Sequence, residues 1–96
     1  MNDTRRATVL LSTQRALLGE VTTNLVAVAV AWSDASIQID FFFGLPPDDL
    51  DKESADCVVT ELIADFPEYE VTLTTKLWDA AYALPDGGVW VFLRSQ

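Results

Sequence analysis

Residues 25–43 read LVAVAVAWSDASIQIDFFF, and this stretch decides the fold. From Leu25 to Trp32 large and small apolar residues alternate, the period of two that belongs to a strand. The spacing predicts Val26, Val28, Val30 and Trp32 on one face and Ala27, Ala29 and Ala31 on the other. Residues 36–43 continue the pattern, with Ile37, Ile39, Phe41 and Phe43 set against Gln38, Asp40 and Phe42. Ser33, Asp34 and Ala35 between the two runs make a short hairpin turn.

Upstream of the hairpin, residues 7–21 repeat at helical spacing. Ala7, Leu10, Leu11, Leu17, Leu18 and Val21 fall on one stripe, Gln14 is its polar intruder, and Gly19 is a natural stop. Downstream, Pro46-Pro47 breaks the chain. Asp48 then follows as an N-cap, with Asp51 at the third helical position. This second helix is expected to run to about Phe66, where Pro67 ends it, with Ala55, Val58, Val59, Leu62, Ile63 and Phe66 as its core face.

Two strands complete the chain. Val71, Leu73 and Leu77 alternate with Thr72, Thr74 and Lys76, and Val89, Val91 and Leu93 with Trp90, Phe92 and Arg94. Residues 78–88 read as a loop closed by the turn cluster Pro85-Asp86-Gly87-Gly88. The order helix-strand-strand-helix-strand-strand predicts one α+β domain over residues 1–96. It is a two-layer sandwich with two helices on one face of a four-stranded, mostly antiparallel sheet. Val28, Val30, Ile39, Phe41, Leu62, Val71 and Val91 are expected to be almost fully buried.

Composition narrows the function. Half of the 96 residues are apolar, which excludes the disordered class. Fifteen acids against six Lys+Arg give a net charge of −9, which argues against a protein that binds nucleic acid through phosphate. Histidine is absent, which removes His-based triads, His-ligated zinc and histidine pH switches. The single cysteine, Cys57, permits no internal disulfide and fits a reducing compartment. The segment after Arg5-Arg6 is interrupted by Ser12, Thr13, Gln14 and Arg15, unlike a signal peptide, and the longest apolar run, Leu25–Trp32, has eight residues. A cytoplasmic protein without a membrane span is expected.

Charge is unevenly placed. Residues 48–70 hold nine acids against Lys52 alone, a net −8. Asp49, Asp51 and Glu53 have the one-three-five spacing that opens a calcium loop, but Ser54 stands at the sixth position and Thr60 at the twelfth. No metal or cofactor site is expected. No phosphate loop, dinucleotide glycine pattern or Ser-x-x-Lys motif is present, so no catalytic set emerges and the chain is read as a binding protein rather than an enzyme. Cys57 has no histidine to activate it and acids around it, which disfavours the thiolate.

Two surfaces remain. On a helical wheel Asp49, Glu53, Asp56, Glu61 and Asp65 fan over the side away from the core, with Glu68 at the rim. An ordinary solvated helix interleaves lysine with its acids, and this one has Lys52 only; unrelieved like charge costs stability, which a basic partner would offset. Asp48 and Asp51 are left out of this set because capping explains them. The other surface is the sheet face opposite the helices, where Ala27, Ala29 and Ala31 lie beside Phe42, Asp40, Thr72, Thr74, Trp90 and Phe92. That mixture suggests a contact patch, unless Trp78, Tyr82 and Leu84 of the 78–88 loop fold back to cover it.

Four segments together resemble the small bacterial immunity proteins encoded beside polymorphic or contact-dependent growth-inhibition toxins. They are Arg15-Ala16-Leu17-Leu18-Gly19, Ala27-Val28 before a hairpin, Ile63-Ala64-Asp65-Phe66-Pro67-Glu68-Tyr69, and Val91-Phe92-Leu93-Arg94. The resemblance implies a cytoplasmic inhibitor that binds one cognate toxin domain, often a nuclease, and blocks its active site. It supplies no binding residues, so the acidic helix rests on charge alone. The alternative is a homo-oligomeric ligand-binding or scaffolding module that uses the apolar sheet face, and a homodimer stays open in either case.

Overall fold

Alternating residues close on one another as an antiparallel hairpin of β1 (Leu25–Trp32) and β2 (Ser36–Phe43), with Trp32 opposite Ile37 and Val28 opposite Phe41. The computed structural model describes residues 3–79, 84 and 87–94. Its remaining elements are α1 (Asp3–Leu17), α2 (Asp49–Asp65), β3 (Glu70–Leu77) and β4 (Val89–Leu93), in the expected order. The sheet runs β3-β2-β1-β4. β4 lies antiparallel to β1, whereas α2 carries the chain back so that β3 lies parallel to β2. One parallel pair beside two antiparallel pairs leaves the sheet mostly antiparallel, as the sequence predicts.

Both helices pack on the same face. Ala16 and Leu17 of α1 and Ala55, Val58 and Leu62 of α2 share one buried cluster with Leu25, Val28, Ile39, Phe41 and Phe43. A second cluster, of Val9, Val30 and Ile37, closes the other end of that layer. Five of the seven expected core residues are 1% exposed or less, but Val71 and Val91 are only half-buried. They sit on β3 and β4, the edge strands, where one side of each residue has no neighbouring strand.

Three expectations about faces fail, each for a physical reason. α1 begins at Asp3 and ends at Leu17, earlier at both ends than 7–21, although Gly19 does take the left-handed φ of 80° that stops a helix. Its buried stripe is Val9, Ser12, Thr13, Ala16 and Leu17, while Ala7, Leu11 and Leu18 point to solvent. Two hydroxyls can lie inside because Thr13 Oγ1 donates to the Val9 carbonyl (2.8 Å) and Ser12 Oγ to Asp65. On α2, Ile63 is half exposed and does not join the core.

β-Bulges cause the third departure. The register shifts between Leu25 and Ala27, so Val26 is the extra residue and packs with Ala27 and Ala29 instead of with Val28. A second shift, between Val28 and Ala29, makes Val91 the extra residue of β4. Phe92 is thereby turned to the helix side opposite Val28, and Leu93 to the outer side opposite Ala27.

Candidate partner-binding face

The acidic helix is placed by its cap. Asp48 is extended (φ −89°, ψ −174°), its carboxylate accepts from the Asp51 N–H at 2.8 Å, and the Asp51 carboxylate accepts in return from the Asp48 N–H at 3.1 Å. This reciprocal box fixes where the helix starts and hence which acids face outward. Asp51 is 3% exposed and does more than cap, since it also accepts from Thr22 Oγ1 (2.6 Å) and Asn24 Nδ2 (2.9 Å). Burial alone would raise its pKa, but these hydrogen bonds outweigh burial and hold the carboxyl below its ordinary value.

The other acids are arranged differently. Asp49, Glu53, Asp56, Glu61, Asp65 and Glu68 are all exposed. Asp49, Glu53, Glu61 and Asp65, with Cys57 among them, recur every four residues and so form one oblique row on α2. Asp56 lies beside that row, and Glu68 follows in the turn after the helix. Among the described residues none of Asp49, Glu53, Asp56, Glu61 and Glu68 makes a side-chain hydrogen bond or ion pair. Arg5 pairs with Asp34 at 2.7 Å at the hairpin turn, away from this row. Asp65 differs from the rest because Ser12 donates to it, which ties the end of α2 to α1.

The last turn of α2 carries no basic residue. Carboxylates in the last turn of a helix are disfavoured by the aligned peptide dipoles, so Asp65, the last residue of α2, stands where negative charge is least comfortable. Cys57 stands within the row. Its thiol is pushed up from its ordinary value by desolvation, then by the carboxylates of Glu20, Glu53, Asp56 and Glu61. Glu20, in the segment after α1, thus adds its charge at Cys57, which helical spacing on α2 could not reveal. Cys57 should alkylate more slowly than the thiol of an unstructured peptide at pH 8, and Glu53→Lys/Asp56→Lys should speed it. An iodoacetamide time course with no difference between the two proteins would show that the carboxylates do not act on the thiol.

The outer sheet face is not an open apolar patch. Ala27, Ala29 and Phe42 are at most 2% exposed, beneath Trp78, Leu84 and Trp90. Phe42, Trp78 and Trp90 meet edge to face, with ring centroids 5.5–5.9 Å apart. Trp78 and Leu84 thus fold back as the sequence suggested; Tyr82, Pro85 and Asp86 lie outside the described residues. Farther along this face Asp40 is buried, accepting from Gln38 Nε2 (2.7 Å) and from Thr74 Oγ1.

A cleft of about 280 Å³ opens between the helices, lined by Leu11, Arg15, Asp65 and Phe66. Among the described residues no group of three or more His, Cys, Asp or Glu side chains is gathered to hold a metal ion, and no helix is long and apolar enough to cross a membrane. No curated protein matches the chain. A family model does match residues 6–96, and it is that of the MafI2 immunity protein.

Proposed function

The chain belongs to the MafI2 immunity protein family, and from that premise we propose that it neutralises its toxin by laying the acidic face of α2 on a basic toxin domain. Membership implies toxin immunity as the role and a cognate toxin as the partner. The contact residues we assign are Asp49, Glu53, Asp56, Glu61 and Asp65, with Glu68 at the rim. One observation carries the assignment. A row of exposed carboxylates runs to a helix C-terminus without a basic residue in the last turn or an internal ion pair among the described residues. Such a surface holds unfavourable charge that a cationic partner would relieve.

The toxin class we infer is a nuclease. An enzyme that grips phosphate must present positive charge, and an acidic face competes for that surface while steering the encounter. The inhibitor acts by occupancy and needs no catalytic group of its own. We place this action in the bacterial cytoplasm, where the free thiol of Cys57 stays reduced, and in a contact-dependent growth-inhibition setting. The covered outer sheet face offers less to the alternative of an apolar binding module, because its alanines and Phe42 already have aromatic neighbours.

Glu53→Lys/Asp56→Lys tests the reading, since both side chains are exposed and the fold should survive. Association of the double mutant with the cognate toxin domain should be at least about tenfold slower at low salt. Wild-type association should slow as salt rises, with exposed charges screened beyond about 8 Å at physiological ionic strength. The toxin domain should degrade nucleic acid alone and be silent with the wild-type protein. Stopped-flow rates that are equal for both proteins and independent of salt would reduce the acidic face to a solvated surface.

A further inference from the structure

We propose that the outer edge of β3 pairs with the same edge of a second copy of this chain, antiparallel and about a two-fold axis at Leu73. This surface lies apart from the acidic row of α2 and does not depend on the proposed toxin contact.

β3 ends the sheet, with β2 as its one neighbouring strand among the described residues. It is eight residues long and keeps an unbroken register with β2 from Ser36↔Glu70 to Phe43↔Leu77. Within it there is no proline, no bulge and no charge turned inward; of the usual devices that blunt an edge it carries only the charges of Glu70 and Lys76. The opposite edge, β4, is shorter and bulged. An open, regular edge is a template for strand addition.

The hydrogen-bond parity of β3 restricts how two copies can meet. Glu70 N–H donates to Ala35 (2.9 Å) and Trp78 N–H to Phe43 (2.8 Å), so even-numbered residues turn their backbone groups toward β2. Odd-numbered residues, Val71, Leu73, Thr75 and Leu77, present theirs outward. An antiparallel partner must therefore pair odd with odd, which leaves registers that differ by two residues.

Charge selects among them. Glu70 and Lys76 share the outer face of the sheet, where the Lys76 ammonium lies 5.9 Å from the Phe42 ring centroid. Six steps of strand lead from one to the other, about 20 Å, too far for the two to pair within one chain. With the two-fold axis at Leu73, Glu70 of each copy falls opposite Lys76 of the other. The same register sets Thr72 against Thr74 and Leu73 against itself, and brings Leu77, 55% exposed, beside Tyr69. Opposite charges, paired threonines and apolar neighbours are the pairings that stabilise adjacent strands. Moving the register by one step in either direction loses both Glu–Lys pairs.

Sedimentation velocity of the full chain over a range of concentrations tests this. Wild type should show a monomer–dimer equilibrium. Lys76→Glu should weaken self-association by at least about tenfold, because two attractive cross-strand pairs become repulsive. Glu70→Lys/Lys76→Glu should restore it. Thr75→Pro removes an outward N–H at an exposed edge position and should leave a folded monomer by circular dichroism. A wild-type protein that stays monomeric throughout overturns the proposal. So does a dimer indifferent to Lys76→Glu and Thr75→Pro, which would place the contact elsewhere.

Discussion

Leu62→Ala should destabilise the protein by about 2–5 kcal/mol, a large part of the roughly 5–15 kcal/mol that holds a small domain folded. Leu62 is fully buried at the centre of the layer where α2 meets the sheet, in one cluster with Val58, Val28, Phe41 and Phe43. Truncation removes apolar area and leaves a cavity that residues held by the hairpin ladder cannot collapse to fill. Ile63→Ala is the control. Ile63 is half exposed, so its loss should cost less than about 1 kcal/mol. Urea unfolding at unchanged m-value measures both, and near-equal shifts would show that the packing face of α2 is misassigned.

That contrast also shows what the sequence could and could not reveal. Alternation in residues 25–43 is enough for the hairpin, because two apolar runs with a period of two, joined by three turn residues, pair as neighbouring antiparallel strands. The Asp48–Asp51 box was equally legible, since a cap is a local device written in adjacent residues. Helix faces were harder. Leu11 and Leu18 look like core and Ser12 and Thr13 like surface, yet the reverse holds. The two hydroxyls are satisfied by a carbonyl of their own helix and by Asp65, a partner 53 residues away.

Bulges are not legible in the sequence because one inserted residue has no signature in composition. They moved Val26 and Phe92 across the sheet and left the pattern looking unbroken. At the acidic face the row on α2 is visible from spacing, whereas the charge of Glu20 reaches Cys57 only because the segment after α1 is held to α2 through Thr22 and Asp51. The same packing gives Asp51 a second role that capping had seemed to exhaust.

Asp51→Asn should cost about 1.5–3 kcal/mol at neutral pH, the range for losing a hydrogen bond to a charged group. The Asp51 carboxylate accepts from Thr22, from Asn24 and from the Asp48 N–H. Asn24 in turn bonds the Leu45 N–H and carbonyl at 2.9 Å each, so one anion joins the start of α2 to the chain on both sides of the hairpin. An asparagine keeps the shape but turns one acceptor oxygen into a donor that faces other donors. The pH dependence follows from the direction of the shift. The folded pKa lies below the unfolded value of about 3.9, so the carboxylate's contribution is complete above that value and is lost as pH falls through the folded pKa. Acid also relieves repulsion along the acidic row, an opposite effect common to both proteins. The difference between wild type and Asp51→Asn isolates Asp51, because a protonated carboxyl resembles the amide. Urea unfolding of both proteins at pH 6.5 and at acid pH should give a full gap at the first and a shrinking gap below about pH 4. A gap that stays constant with pH would mean that the charge of Asp51 contributes nothing and that its shape alone holds the cap.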